Sequence, residues 1–168
     1  ATREDEDPEN DIEVANMSLG CACSMPALAE AIEASVQAGV VVVVAAGNSR
    51  RDASEEAPAN HPDAITVSAL ADYDGLAGGV ADPSCGDSGA DDHLASFSNY
   101  GAVVDVVAPG VCIHSTLPAS ASQSKSPEFG SDYGTLSGTS MATPHVAGAA
   151  ALLASEAAPE DAEDVEAI

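Results

Sequence analysis

From Met141 to Ala154 the chain carries no carboxylate, lysine or arginine, and His145 is its one titratable side chain. Alanine and leucine dominate, so the stretch reads as a helix that is apolar almost all round. Such a helix has to pass through the interior of a larger domain. It is too short and too rich in alanine and glycine to span a bilayer. Just before it, Leu136-Ser137-Gly138-Thr139-Ser140 places small residues and a serine at the helix start. Gly138 lets the backbone approach a ligand closely. Thr139 suits the N-cap. Ser140 then falls in the first turn, where backbone N–H groups have no helical partner. That end of a helix favours negative charge, and so does the oxyanion of acyl transfer. One residue can therefore supply both a nucleophile and part of its electrostatic support. Pro144 removes one helical bond, to the carbonyl of Ser140.

Residues 26–45 set a second constraint. Pro26 suits a first helical turn and Gly39 a C-terminal cap. Between them Leu28, Ile32 and Val36 recur every four residues and form one apolar face. The unbroken run Val40-Val41-Val42-Val43-Val44-Ala45 reads as a strand buried on both sides. With a strand at 13–19 before it, this is a parallel strand–helix–strand crossover. Further strands are expected at 64–70, 103–107 and 113–117. Loops are expected at 47–63, 72–92 and 120–134. The fold class is α/β with a mostly parallel sheet. Residues 1–11 form a charged lead-in and residues 159–168 an acidic tail.

Asp and Glu number 28 against 4 Lys and Arg, a net charge of −24. Nucleic-acid binding needs a basic face, so that class is excluded. With 45% hydrophobic residues a core can still form, and the acidic excess belongs on the solvated surface. Carboxylate repulsion destabilises a compact state in dilute buffer. At roughly 1 M salt the screening length falls to about 3 Å, so the composition suits a salt-adapted protein. The four cysteines are Cys21, Cys23, Cys85 and Cys112. Their spacing matches no common zinc motif. Cys21 and Cys23 are expected to be too close for an easy mutual bridge. A Cys85–Cys112 disulfide is expected instead and fits an oxidising, extracellular setting.

The run Gly138-Thr139-Ser140-Met141-Ala142-Thr143-Pro144-His145-Val146-Ala147-Gly148 resembles the serine motif of the subtilisin-like serine proteases, the subtilases. The stretch ending Val44-Ala45-Ala46-Gly47-Asn48 is similar to the family's strand that ends in the oxyanion-hole asparagine. Asn16-Met17-Ser18-Leu19-Gly20 resembles the strand lining the substrate cleft. Residues 95–110, with Ser98-Asn99-Tyr100-Gly101 and Ala108-Pro109-Gly110, also follow the family pattern. The resemblance runs from about Val14 to Leu153.

What it implies is a three-layer subtilisin-like fold and peptide-bond hydrolysis through an acyl-enzyme. Ser140 would be the nucleophile and Asn48 an oxyanion donor. Ser18, Leu19 and Gly20 would form one cleft wall, with Ala45, Ala46 and Gly47 opposite and Thr139 beside the nucleophile. Cys21 stands where the family often has glycine. The chain order in subtilases is Asp, His, Ser, and neither the aspartate nor the histidine motif is found before Ser140. None of His61, His93, His114 or His145 matches a catalytic base. The chain is thus expected to be the carboxyl-terminal part of a catalytic domain. Its relay would lie in an N-terminal part, and the fragment alone would be inactive. No cofactor is needed for the chemistry. Structural calcium near Asn60 and Asp63, or at Asp87, Asp91 and Asp92, is weighed on the family's habit. The implied partner is a polypeptide substrate, and the implied location is outside the cell. An α/β-hydrolase needs an acid and then a histidine after its serine; only His145 follows Ser140, so that reading fails on order. A pseudoprotease or acidic binding module is the remaining alternative.

Overall fold

The computed structural model describes residues 12–84, 89–118 and 132–157. The charged lead-in, Cys85, Asp87 and the acidic tail lie outside the described residues. A parallel sheet forms the middle layer. Strand β1 (Val14–Met17) leads through helix α1 (Pro26–Gln37) to β2 (Val41–Ala45), and β3 (Ile65–Ala71) follows. β2 pairs in parallel with β1, Val43 opposite Asn16, and with β3, Val43 opposite Ile65. β4 (His93–Leu94) pairs antiparallel with the far end of β3, and β5 (Val106–Pro109) lies parallel to β3. β6 (Ile113–Thr116) and β7 (Tyr133–Leu136) make a separate antiparallel ribbon leading into α2 (Thr139–Ala157).

Strand periodicity sorts the valines of β2 into two cores. Val41 and Val43 face one side with Ile65, Val67, Ala142, Ala147 and Ala150. Val42 and Val44 face the other with Ile32, and Leu28 and Val36 pack against them. α1 therefore covers one face and α2 the other, giving three layers. Val43, Val44 and Val67 are fully buried; each contributes about 1.5–3 kcal/mol relative to exposure.

The departures from the sequence reading have local causes. β5 begins at Val106 rather than 103. Val103 and Val104 instead pack on Ala46, Ala53 and Ala59. The Asp105 carboxylate, not a backbone carbonyl, accepts the Thr66 N–H at 2.7 Å. β7 begins at Tyr133, within the last two residues of the segment read as loop, and runs on to Leu136. Cys21 and Cys23 are disulfide-bonded to each other, against expectation. A bend at Ala22 brings their Cα atoms to 5.2 Å, inside the span a disulfide accepts. Cys112 is also disulfide-bonded.

Candidate active site

The loop that follows β2 and the start of α2 meet at the carboxyl edge of the sheet, where open α/β folds bind ligands. A cleft of about 550 Å³ is lined by Leu19 and Gly20 on one side, by Ala45, Gly47 and Asn48 on the other, and by Thr139 and Ser140 between them. Ser18 stands at its edge. Ala46 does not line it: the side chain is fully buried, because alternation along the strand turns it into the small core with Ala53 and Ala59.

Thr139 does a different job from the one its position suggests. The helix takes its first bonds on the Gly138 carbonyl, from Met141 and Ala142, so Gly138 occupies the cap. The Thr139 N–H donates to Asn48 Oδ1 at 2.8 Å, and its hydroxyl donates to the same oxygen at 3.0 Å. The Gly47 N–H in turn donates to the Thr139 hydroxyl at 3.2 Å. With Oδ1 fixed in this way, Asn48 can offer only its Nδ2 hydrogens elsewhere. No described residue accepts from them. A Cβ built on Gly138 would meet Asn48 Nδ2 and Met141 Sδ at 3.6 Å, ordinary van der Waals contact; glycine is favoured there by its φ of +156°.

Ser18 and Ser140 are paired reciprocally. Pro144 leaves the Ser140 carbonyl without its helical donor, and the Ser18 hydroxyl donates to that carbonyl at 2.8 Å. The Ser140 hydroxyl donates to the Ser18 carbonyl at 3.2 Å. No histidine reaches Ser140 Oγ. His145 Nδ1 bonds the Met141 carbonyl at 2.8 Å. His61 Nε2 donates to the Ala29 carbonyl, since its Nδ1 accepts from Asp63 N. His93 bonds the Asp91 carbonyl, and His114 stacks on Tyr133.

Three residues that shape the site were not singled out from sequence. Asn99, wholly buried, accepts the N–H groups of Ser49 (2.9 Å) and Arg51 (3.1 Å) and donates to the Ala46 carbonyl at 2.8 Å. It clamps the loop carrying Asn48. Gly47 has φ +100°, and a Cβ there would collide with the Asn99 amide. Arg51 and Glu56 also line the cleft and bond each other through Arg51 Nη2 and Glu56 Oε1. That hydrogen bond holds the Arg51 guanidinium above its usual range. In sequence, Asn99 looks like a turn residue and Glu56 like part of a solvated charge run.

The calcium candidates regroup. Asn60 bonds the Ser54 carbonyl and Asp63 engages His61. Asp92 takes the N–H groups of Gly78 and Gly79. Asp91 gathers instead with Asp72 and Asp74, one oxygen of each lying within 4.8 Å of the others. Such a set of hard oxygen donors suits calcium. The same carboxylates also hold the loop through backbone bonds: Asp91 accepts from Tyr73 and Ala81, and Asp72 from Gly75.

The comparisons agree with this geometry. The model of the subtilase family matches residues 2–168, so the chain belongs to the subtilase family. It is 44% identical over 144 residues to a thermophilic serine proteinase of Bacillus sp. (strain AK1), covering 86% of this chain and 28% of that protein. With subtilisin E of Bacillus subtilis (strain 168) the identity is 39% over 150 residues, 88% of this chain and 32% of the relative. The crystal structure of a cold-adapted subtilisin-like serine proteinase superposes with a TM-score of 0.69 at 36% identity, over 95% of this chain and 48% of that one. The chain thus spans under a third of these two relatives and about half of the solved structure, and its fold is the corresponding part of the subtilisin-like α/β architecture.

Proposed function

We propose that this chain supplies the nucleophile and oxyanion hole of a serine endopeptidase. The observation that carries the reading is the Thr139–Asn48 lock, which holds Asn48 Oδ1 on the residue before Ser140 and leaves the Nδ2 hydrogens for a ligand. In the reaction Ser140 Oγ attacks the scissile carbonyl and its proton passes to a histidine, held by an aspartate. Both partners belong to an N-terminal part outside this chain. The carbonyl oxygen becomes an oxyanion between Asn48 Nδ2 and the Ser140 N–H. Collapse of that intermediate expels the amine, protonated by the same histidine, and leaves an acyl-Ser140 ester for water to hydrolyse. By itself the chain is inactive, because its own histidines bond elsewhere.

The substrate is a polypeptide, gripped along Ser18, Leu19 and Gly20 with one side chain in the cleft. No cofactor enters the chemistry, and calcium at Asp72, Asp74 and Asp91 has a structural role only. The bonded cysteines fit work outside the cell, and we assign the fourth cysteine, Cys85, to Cys112. We read the net charge of −24 as adaptation to salty surroundings. Circular dichroism should show helix content rising as NaCl is raised from dilute buffer to about 1 M; full folding at low salt contradicts the salt assignment. A fluorophosphonate probe should label the full-length protein, and Ser140→Ala should abolish labelling. Labelling that survives the substitution overturns the nucleophile assignment.

A further inference from the structure

Besides the Thr139–Ser140 turn, the segment around Glu56 joins the two walls of the cleft. Ala57 pairs with Cys21 through two backbone bonds of 2.9 Å, which ties this segment to the Leu19–Gly20 side. On the other side a Cβ on Gly47 would fall 3.2 Å from Glu56 Cγ. Glu56 therefore stands behind Gly47, and it is only 6% exposed. Arg51 and Glu56 are the two charged residues lining the cleft. The rest of the lining is uncharged: Gly20, Ala22 and Ala45 are small and apolar, and Asn48 and Ser49 are polar.

The carboxylate is half satisfied. Oε1 accepts from Arg51 Nη2 and, at 3.5 Å, from Asn99 Nδ2. No described residue donates to Oε2. Arg51 is a displaceable partner: its side chain is 35% exposed, its Nη1 already lies 4.0 Å from the exposed Glu55, and its Nε is buried without a partner among the described residues. A long cationic side chain entering from Ser140 can lay its methylenes along Ala22 and Ala45 and place its charge on Glu56. Arg51 can then move onto Glu55, leaving the number of charges in the cleft unchanged. An apolar side chain of the same length would leave Oε2 without a donor, and an acidic one would meet Glu56 head on. The protein's charge of −24 favours the cation at long range as well.

We propose that Glu56 is the specificity-determining residue of this cleft and that the side chain it selects is lysine or arginine. This rests on the cleft being the place where substrate binds, so the test is kept apart from the chemistry. The full-length Ser140→Ala protein, which cannot turn over, is titrated by calorimetry with short peptides ending in lysine, norleucine or glutamate. The lysine peptide should bind at least about tenfold tighter than the norleucine peptide, with the glutamate peptide weakest. Glu56→Gln should bring the lysine-to-norleucine ratio close to one. Arg51→Gln should raise that ratio, since it frees Oε1, an outcome that a merely structural role for the pair does not produce. Parent binding without preference for lysine, an unchanged ratio in Glu56→Gln, or a fall in Arg51→Gln overturns the proposal. Should Glu56→Gln not fold, Arg51→Gln decides alone. Failure of the unsubstituted full-length protein to take the fluorophosphonate label, with the lysine preference intact in Ser140→Ala, would count against the hydrolytic reading and leave this one standing.

Discussion

The two walls of the cleft are built on different terms. The Ala45–Asn48 wall is anchored in the sheet: Ala45 and Ala46 are buried, Ala46 donates to the Val67 carbonyl, and Asn99 and Thr139 fasten the residues on either side. The opposite wall is lighter. Leu19 is 48% exposed, and the wall is tied mainly by the Ser18–Ser140 exchange and the Cys21–Ala57 pair. Electrostatic stabilisation of an oxyanion depends on dipoles that are already in place when charge develops. Gripping an extended peptide demands less and gains from give. On the proposed function the stiff wall carries the charge-stabilising amide and the lighter one the peptide-binding edge.

If that division is right, the sharpest break comes from the stiff wall. Asn48→Ala in the full-length protein should lower kcat by about 10²–10³ with little change in KM, the magnitude known for the corresponding asparagine of a subtilisin. An equal effect on KM would move Asn48 into ground-state binding. Next is Asn99→Ala, which touches no substrate but frees the loop. We expect kcat to fall by about tenfold to a hundredfold through misplacement of Asn48, along with about 1–3 kcal/mol of stability. Urea unfolding and steady-state kinetics on one preparation separate the two effects. Ser18→Ala, on the lighter wall, should cost about 1 kcal/mol of stability and leave kcat near the parent value. A large kcat loss there would erase the contrast between the walls.

The smallest effect is a control away from both walls. Asp91 is 1% exposed, and its carboxyl is held below the usual range first by the Tyr73 N–H and then by that of Ala81. A depressed folded value means that its stabilisation is fully present above the unfolded carboxyl value of about 3.9. It is lost as pH falls through the lower folded value. Amide protection factors at Tyr73 and Ala81, corrected for the intrinsic exchange rate at each pH, should therefore fall on acidification below about pH 4 and do so less in Asp91→Asn.

How much of this was legible follows from how far each signal extends along the chain. The valine run of β2, the four-residue period of α1 and the charge-free length of α2 each repeat one constraint many times, so they survive any local exception. β7 is only four residues long and follows a serine-rich stretch, so its pattern had no room to declare itself. Asn48 and Ser140 stood out as candidates because each sits at the end of such an element. Asn99, Arg51 and Glu56 were not, since their roles come from contacts 43 to 53 residues apart, as between Asn99 and Glu56 or Ala46, or from burial of a charge that sequence assigns to solvent. The Cys21–Cys23 bridge depends on a bend at Ala22 that composition does not announce. Thr139 was placed in the right neighbourhood with the wrong task, because its hydroxyl prefers the Asn48 carbonyl oxygen to the helix end.

The most direct test is a crystal structure of the full-length protein with a peptide boronic acid. The account predicts a tetrahedral boron bonded to Ser140 Oγ, with one boronate oxygen about 2.7–3.1 Å from Asn48 Nδ2 and from the Ser140 N–H. A boronate attached to another residue, or one whose oxygens all turn away from Asn48, would contradict it.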